Sequence, residues 1–177
     1  METSDHYGDI IVRPEIVDDV AAIHGVNEEA FGGAVEADLV DVLRKKGAVD
    51  LSLVAVNRNI IVGHILFSPA EIVSGRSSYP ATALAPMAVL PAMQGKGIGS
   101  MLVRQGLRKL EELGHGLVIV LGHPAYYPRF GFVPASRFRI SCPYEAPDEA
   151  FMALELRAGA SPREGGKARF QSEFDAV

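Results

Sequence analysis

A single cysteine, Cys142, stands among the 177 residues, so no disulfide can form within the chain. That favours a reducing setting, and a cytoplasmic one is expected. Cys142 has no histidine close to it in sequence and reads as a small apolar filler, not as a nucleophile. Basic residues are in the minority: 17 lysines and arginines face 22 aspartates and glutamates, for a net charge of −5. A strongly basic face is disfavoured, and nucleic acid is not an expected partner. No run approaches the roughly 18 uncharged apolar residues of a membrane span, so no membrane partner is expected. The opening METSDHYGD carries neither a basic stretch nor an apolar run, and no signal peptide is expected from it. No histidines and cysteines fall at metal-ligand spacing, and no metal is expected.

What is present suits one folded domain. Apolar residues make up 48% of the chain, and a chain of this length buries roughly two-thirds of its unfolded surface. Residues 1–9 are polar and are expected to be loose. Ile10–Pro14 reads as a first strand. Asp18 or Asp19 then caps a helix that runs to about Ala30, and Phe31-Gly32-Gly33 breaks it. Glu36–Lys46 keeps helical spacing through Leu39, Val40 and Leu43, and Gly47 ends it. The period then changes. Leu51–Val56 and Ile60–Pro69 form a hairpin around Asn57-Arg58-Asn59. Ala70–Val73 extends the second strand towards a Gly/Ser/Arg loop.

Ala81–Leu90 is apolar and extended. Gly97–Leu113 is the longest helix, with Ile98, Met101, Leu102, Leu110 and Leu113 on its apolar face. Leu117–Leu121 is an all-apolar strand, a sign of burial on both faces. Ala125–Phe130 reads as one or two helical turns, and Phe132–Phe138 and Phe151–Arg157 as the last strands. The domain is placed at 10–158. Residues 159–177 are read as a Gly-rich, charged tail packed on it, with Phe170 and Phe174 as anchors. This order gives a mixed α/β sheet.

The most informative segment joins a strand to that longest helix through Gln94-Gly95-Lys96-Gly97-Ile98-Gly99-Ser100. Glycines let backbone N–H groups approach an anion with no Cβ in the way. The helix N-terminus adds free donors and a partial positive charge. The segment therefore reads as a diphosphate cradle. It lacks the Walker A pattern. It also lacks the tight turn of the dinucleotide fingerprint, because Leu90–Gln94 separates the strand from the glycines. Pro86, inside the preceding strand, removes a ladder donor and belongs at an edge or a bulge.

Gln94-x-x-Gly97-x-Gly99 in this setting resembles the coenzyme A motif of the GNAT N-acetyltransferase superfamily. Farther on, Gly122-His123-Pro124-Ala125-Tyr126-Tyr127-Pro128-Arg129-Phe130-Gly131-Phe132 resembles the Tyr-x-Lys/Arg-x-Gly-Phe ending of the same fold, and in particular its YhbS-like branch. The likeness extends from about Ile10 to Arg157. It implies a central, mostly antiparallel mixed sheet with a splayed parallel pair, flanked by about four helices. It implies acetyl-CoA as cosubstrate, an amine-bearing acceptor met directly in a ternary complex, and compatibility with a homodimer. Met87, Ala88 and Val89 would bind the pantetheine arm through their main chain. Gln94, Gly95, Lys96, Gly97, Ile98, Gly99 and Ser100 would form the phosphate turn.

Acetyl transfer from a thioester to an amine needs a neutral amine, a stabilised oxyanion and a proton for the departing thiolate. Tyr127, four residues before Gly131, falls where the superfamily tyrosine lies and is assigned as general acid. Tyr126 is its rival. A main-chain N–H within Met87–Val89 is the expected oxyanion donor. The base is left open between Glu36 and His123, with Glu28, Glu29 and His64 also considered. A non-enzymatic acyl-CoA-binding module of the same fold is the alternative. The segments that the resemblance sets around the acceptor, Phe31–Lys46 and Tyr144–Phe151, carry no legible signature, and the tail is read as either crossing to a second subunit or folding over the acceptor cleft.

Overall fold

The structure, a computed structural model, describes residues 10–177; the expected loose segment 1–9 lies outside the described residues. Its elements are β1 (Ile10–Pro14), α1 (Val20–Phe31), α2 (Val35–Lys46), β2 (Leu51–Asn57), β3 (Ile60–Ser74), β4 (Ser77–Val89), α3 (Ile98–Glu112), β5 (Leu117–Leu121), β6 (Val133–Pro134), β7 (Ile140–Ser141), β8 (Phe151–Glu155) and β9 (Gly166–Arg169). The sheet runs β1-β2-β3-β4-β5-β8-β6. Its pairings are antiparallel except β4 with β5 and a two-residue contact of β7 with β9.

Burial along β2 and β3 explains why they read as near-continuous apolar runs. Leu53, Ala55, Ile65 and Phe67 face one side and pack with Ile98, Leu102, Val103 and Leu110 of α3. Val54, Leu66 and Ala88 face the other side, against Ile23 and Val26 of α1 and Leu39, Val40 and Leu43 of α2. The alternation is the period of two of a strand, with both faces covered. Glycines close two helices as expected: Gly32 and Gly47 take left-handed conformations after α1 and α2. The β2–β3 hairpin turns on Arg58 and Asn59, both at positive φ (47° and 68°), as a two-residue hairpin turn requires.

Three expectations change. The Gly/Ser/Arg loop after Val73 is only a tight turn, because β3 and β4 pair continuously from Ala70↔Ala81 out to Ser74↔Ser77. Phe132–Phe138 is not one strand: only Val133–Pro134 pairs, and Ala135–Phe138 winds into a 3-10 turn after Pro134, which has no N–H for a ladder. The fourth expected helix, at Ala125–Phe130, is a 3-10 turn at Tyr127–Phe130, so three α-helices flank the sheet among the described residues.

The tail returns to the sheet. β9 pairs Glu71, Ile72 and Val73 of β3. It takes the side of β3 that β2 leaves after Phe67, since β4 holds the other side along its length.

A polar chain crosses the α1–α2 layer. His64 is fully buried. Its Nδ1 accepts from Asn27 Nδ2 at 3.0 Å, so Nε2 carries the proton and donates to Ser52 Oγ at 3.0 Å. The Ser52 hydroxyl donates to Glu15, which Arg44 grips through two bonds of 2.8 and 3.0 Å. Burial alone would raise the Glu15 carboxyl, but Arg44 and Ser52 outweigh it and hold it below the usual range. For His64, burial dominates, Arg44 reinforces it, and the ring falls from 6.5 to about 4 despite Glu15. The unfolded chain therefore binds this proton first on acidification. The stability due to neutral His64 is complete above pH 6.5 and is lost as pH falls towards 4. The loss expected over that window is about 3 kcal/mol, measurable as a falling denaturation midpoint between pH 7 and pH 4.

Candidate functional site

The site begins with a mismatch in β4. Between Ile65↔Met87 and Phe67↔Leu84, β3 advances two residues while β4 advances three. The extra residue lies at Ala85–Pro86, where the proline signalled a bulge. On its other side β4 keeps its parallel neighbour only through Thr82↔Val118 and Ala83↔Ile119. Past Ala83 the two strands part, and a cleft of about 1150 Å³ opens between them.

At the end of β4 the chain turns through Pro91–Met93, and Gln94 Nε2 donates to the Val89 carbonyl at 3.0 Å, closing the turn. Gly95 and Gly97 lie at φ 73° and 79°, conformations that a side chain would strain. Gly97 caps α3 with no side-chain partner, and the first helical bond runs from Met101 N–H to the Gly97 carbonyl. The N–H groups from Gly95 to Ser100 have no acceptor among the described residues, and no acid stands in the first turn of α3. Positive φ, free donors and a helix terminus together make an anion cradle.

The second motif folds over the first. A Cβ on Gly99 would lie 2.9 Å from the Tyr126 hydroxyl and 3.2 Å from Met87 Sδ, so Gly99 is what lets Tyr126 close on the turn. Tyr126 Oη stands 3.5 Å from Ser100 Oγ, and the Arg129 guanidinium lies 4.6 Å above its ring. Tyr127 is 8% exposed and meets Tyr126 and Phe132 edge-on, with centroids at 5.1 and 5.7 Å. Burial chiefly, with the neighbouring Tyr126, pushes its hydroxyl up to about 12.

Of the residues expected at the coenzyme, Met87, Val89, Gln94, Gly95, Gly97, Ile98, Gly99 and Ser100 line the cleft. Ala88 is not among the lining residues: its side chain is buried in the α1–α2 core, and it pairs with His64 of β3. Lys96 is exposed and outside the lining. Tyr127, Glu36 and His123 all line the cleft. Glu28 and Glu29 are exposed on α1 away from it, and buried His64 does not reach it.

Tyr144 lines the cleft, as expected of the Tyr144–Phe151 segment, and Phe170 and Phe174 bring the tail to it; Arg129 also lines it and was not named as a site residue. Arg129 stood inside a quoted motif, Gly122–Phe132, whose spacing could have found it. Among the described residues, no group of three His, Cys, Asp or Glu side chains could hold a metal, and no helix is long and apolar enough to cross a membrane.

The family model for the acetyltransferase (GNAT) domain matches residues 12–135, most of the chain, including the glycine turn and Tyr127. The chain belongs to the GNAT acetyltransferase family. It is 41% identical to the uncharacterised N-acetyltransferase YjhQ of Escherichia coli over 134 residues, 74% of each protein. It is 31% identical to YhbS of the same organism over 167 residues, 94% of this chain and 99% of that one. The crystal structure of YhbS in complex with CoA superposes with a TM-score of 0.88, covering 94% of this chain and 92% of that one. A GNAT acetyltransferase from Brucella melitensis in complex with acetyl-CoA is 35% identical, with a TM-score of 0.77 over 94% of this chain and 98% of that one. GNAT membership makes the chain an acyltransferase by class, and the splayed β4–β5 pair is the GNAT feature expected from Pro86.

Proposed function

We propose that this GNAT protein moves the acetyl group of acetyl-CoA directly to an amine acceptor held in the same cleft. The carrying observation is that one continuous cleft joins an anion cradle, an unpaired strand edge and the buried tyrosine. The diphosphate suits the N–H groups of Gly95–Ser100 and the positive end of α3. The pantetheine amides suit the main chain of Met87–Val89, which β5 has left free. In the reaction the amine nitrogen bonds to the acetyl carbonyl carbon and the carbon–sulfur bond breaks. The nitrogen loses a proton and the sulfur gains one.

Tyr127 is the proton source for sulfur. With its hydroxyl pushed up to about 12, it stays protonated at neutral pH and works as a donor, not as a base. The same shift makes it a reluctant acid, so it holds a hydrogen bond to sulfur and completes transfer only as negative charge builds there. The carbonyl oxygen takes its charge towards a main-chain N–H of Met87–Val89. The amine's proton leaves through Glu36 or His123, the two titratable candidates that reach the cleft.

The test is thermal unfolding with acetyl-CoA, CoA, NADH and ATP in parallel. At 100 times its dissociation constant, a ligand stabilises by about 2.7 kcal/mol, a shift of roughly 5–10 °C for this size of domain. The expected result is a shift with acetyl-CoA and CoA alone. A shift with only NADH or ATP would overturn the reading.

A further inference from the structure

The end of the cleft away from the glycine turn draws its side chains from three separate parts of the chain. Phe31, Glu36 and Leu39 come from the α1–α2 corner, Tyr144 from the loop before β8, and Phe170 and Phe174 from the tail. We infer that this end receives a primary amine carried on an aromatic ring through a short alkyl arm; the inference rests on the transfer reading above.

Three observations carry it. First, the wall is aromatic and continuous. Phe170 lies 5.6 Å from Tyr144 and 5.7 Å from Phe174, centroid to centroid, with buried Phe151 behind it. Such tilted and edge-on faces accept one more ring in the same manner.

Second, among the described residues Glu36 is the only acidic side chain lining the cleft, and the arginine that lines it, Arg129, is stacked on Tyr126 beside the glycine turn. A single carboxylate among apolar groups matches a single ammonium. A polyamine would bring several charges to an end with one partner, and each unpaired charge among these apolar groups would be costly.

Third, the tail wall is fastened. β9 is paired to β3, Gln171 Nε2 donates to the Pro69 carbonyl at 2.9 Å, Lys46 pairs with Glu173 at 2.8 Å and Tyr144 Oη donates to Asp175 at 3.1 Å. A wall held at four points shapes a fixed pocket for a small body rather than an open groove for a polypeptide.

The ring fills the space between Phe31, Phe170 and Phe174, the ammonium meets Glu36, and the deprotonated nitrogen points along the cleft towards β4. Phe31 is 45% exposed, so its truncation removes ring contact at little cost to folding. Phe170 is partly buried against the core, so its variant needs the check of an unfolding curve.

The experiment is release of CoA thiol by the full chain with acetyl-CoA and 2-phenylethylamine, ethanolamine, spermidine or a lysine-containing peptide. Burial of one phenyl ring should give 2-phenylethylamine a kcat/KM on the order of 50-fold above ethanolamine. Phe31→Ala and Phe170→Ala should each raise the KM for 2-phenylethylamine, leaving the dissociation constant for CoA unchanged. Preference for spermidine, ethanolamine or the peptide would overturn the aromatic acceptor and leave acetyl transfer standing. Binding of CoA with no amine acetylated would overturn both.

Discussion

Gly97→Val is expected to weaken CoA binding by about 100-fold. Gly97 sits at φ 79° at the head of α3 and lines the cleft. A side chain there would stand on the turn that an anion must approach. Two effects then add. A β-branched residue at positive φ costs about 1–3 kcal/mol, which pulls the turn towards another conformation. The N–H groups of the cradle also lose their approach to phosphate, and charge-assisted bonds of this kind contribute about 1.5–3 kcal/mol each. Losing one or two of them gives roughly the 100-fold stated. Titration calorimetry with CoA measures it, beside an unfolding curve of the free protein. Gly97→Ala should fall between wild type and valine. Equal affinity in all three would remove the phosphates from this turn. Gly99 supplies a contrast: its missing side chain makes room for Tyr126 and Met87, so Gly99→Ala should disturb the packing of the two motifs on each other.

The parts of this architecture that could be read in advance obey local backbone rules. Pro86 announced the β4 bulge because a proline cannot donate to a ladder, and Gly32 and Gly47 announced helix ends because left-handed conformations favour glycine. The glycine turn was legible because its spacing and the amphipathic helix behind it share one stretch of chain. The rest depends on residues far apart in sequence. Gly166–Arg169 is short and half charged, and it becomes a strand only because β3 outruns β2 by several residues and offers it an edge. Phe132–Phe138 has strand-like composition, but Pro134 and the turn at Ala135–Phe138 stop the pairing. Phe170 and Phe174 were legible as anchors, but the sequence left open whether the tail covers the cleft or crosses to a second subunit. Their partners, Tyr144 and the α1–α2 corner, are brought to them by the return of the tail. The end of the cleft proposed for the acceptor has no motif for this reason: it is an assembly of contacts, not a segment.

Tyr127→Phe should lower kcat by about 100-fold or more and leave the KM for acetyl-CoA nearly unchanged, since a positioned general acid contributes 10²–10⁴-fold. The substitution is clean. The ring keeps its edge-on contacts with Tyr126 and Phe132 and the space that Gly122 leaves for it, where a Cβ would come within 2.5 Å of the ring. The hydroxyl has no protein hydrogen-bond partner among the described residues, so its removal leaves no orphaned group. What is lost is a proton held on oxygen at neutral pH and facing the cleft. A loss in kcat without a loss in binding is the signature of an interaction that matters as charge develops on sulfur. Tyr126→Phe is the parallel measurement. Its hydroxyl lies towards Ser100 and the helix terminus, so it should change CoA affinity more than turnover. If Tyr126→Phe lost the turnover and Tyr127→Phe kept it, the proton would belong to Tyr126. If both kept it, the thiolate would leave with its proton drawn from solvent, and the aromatic pair would serve only to close the glycine turn.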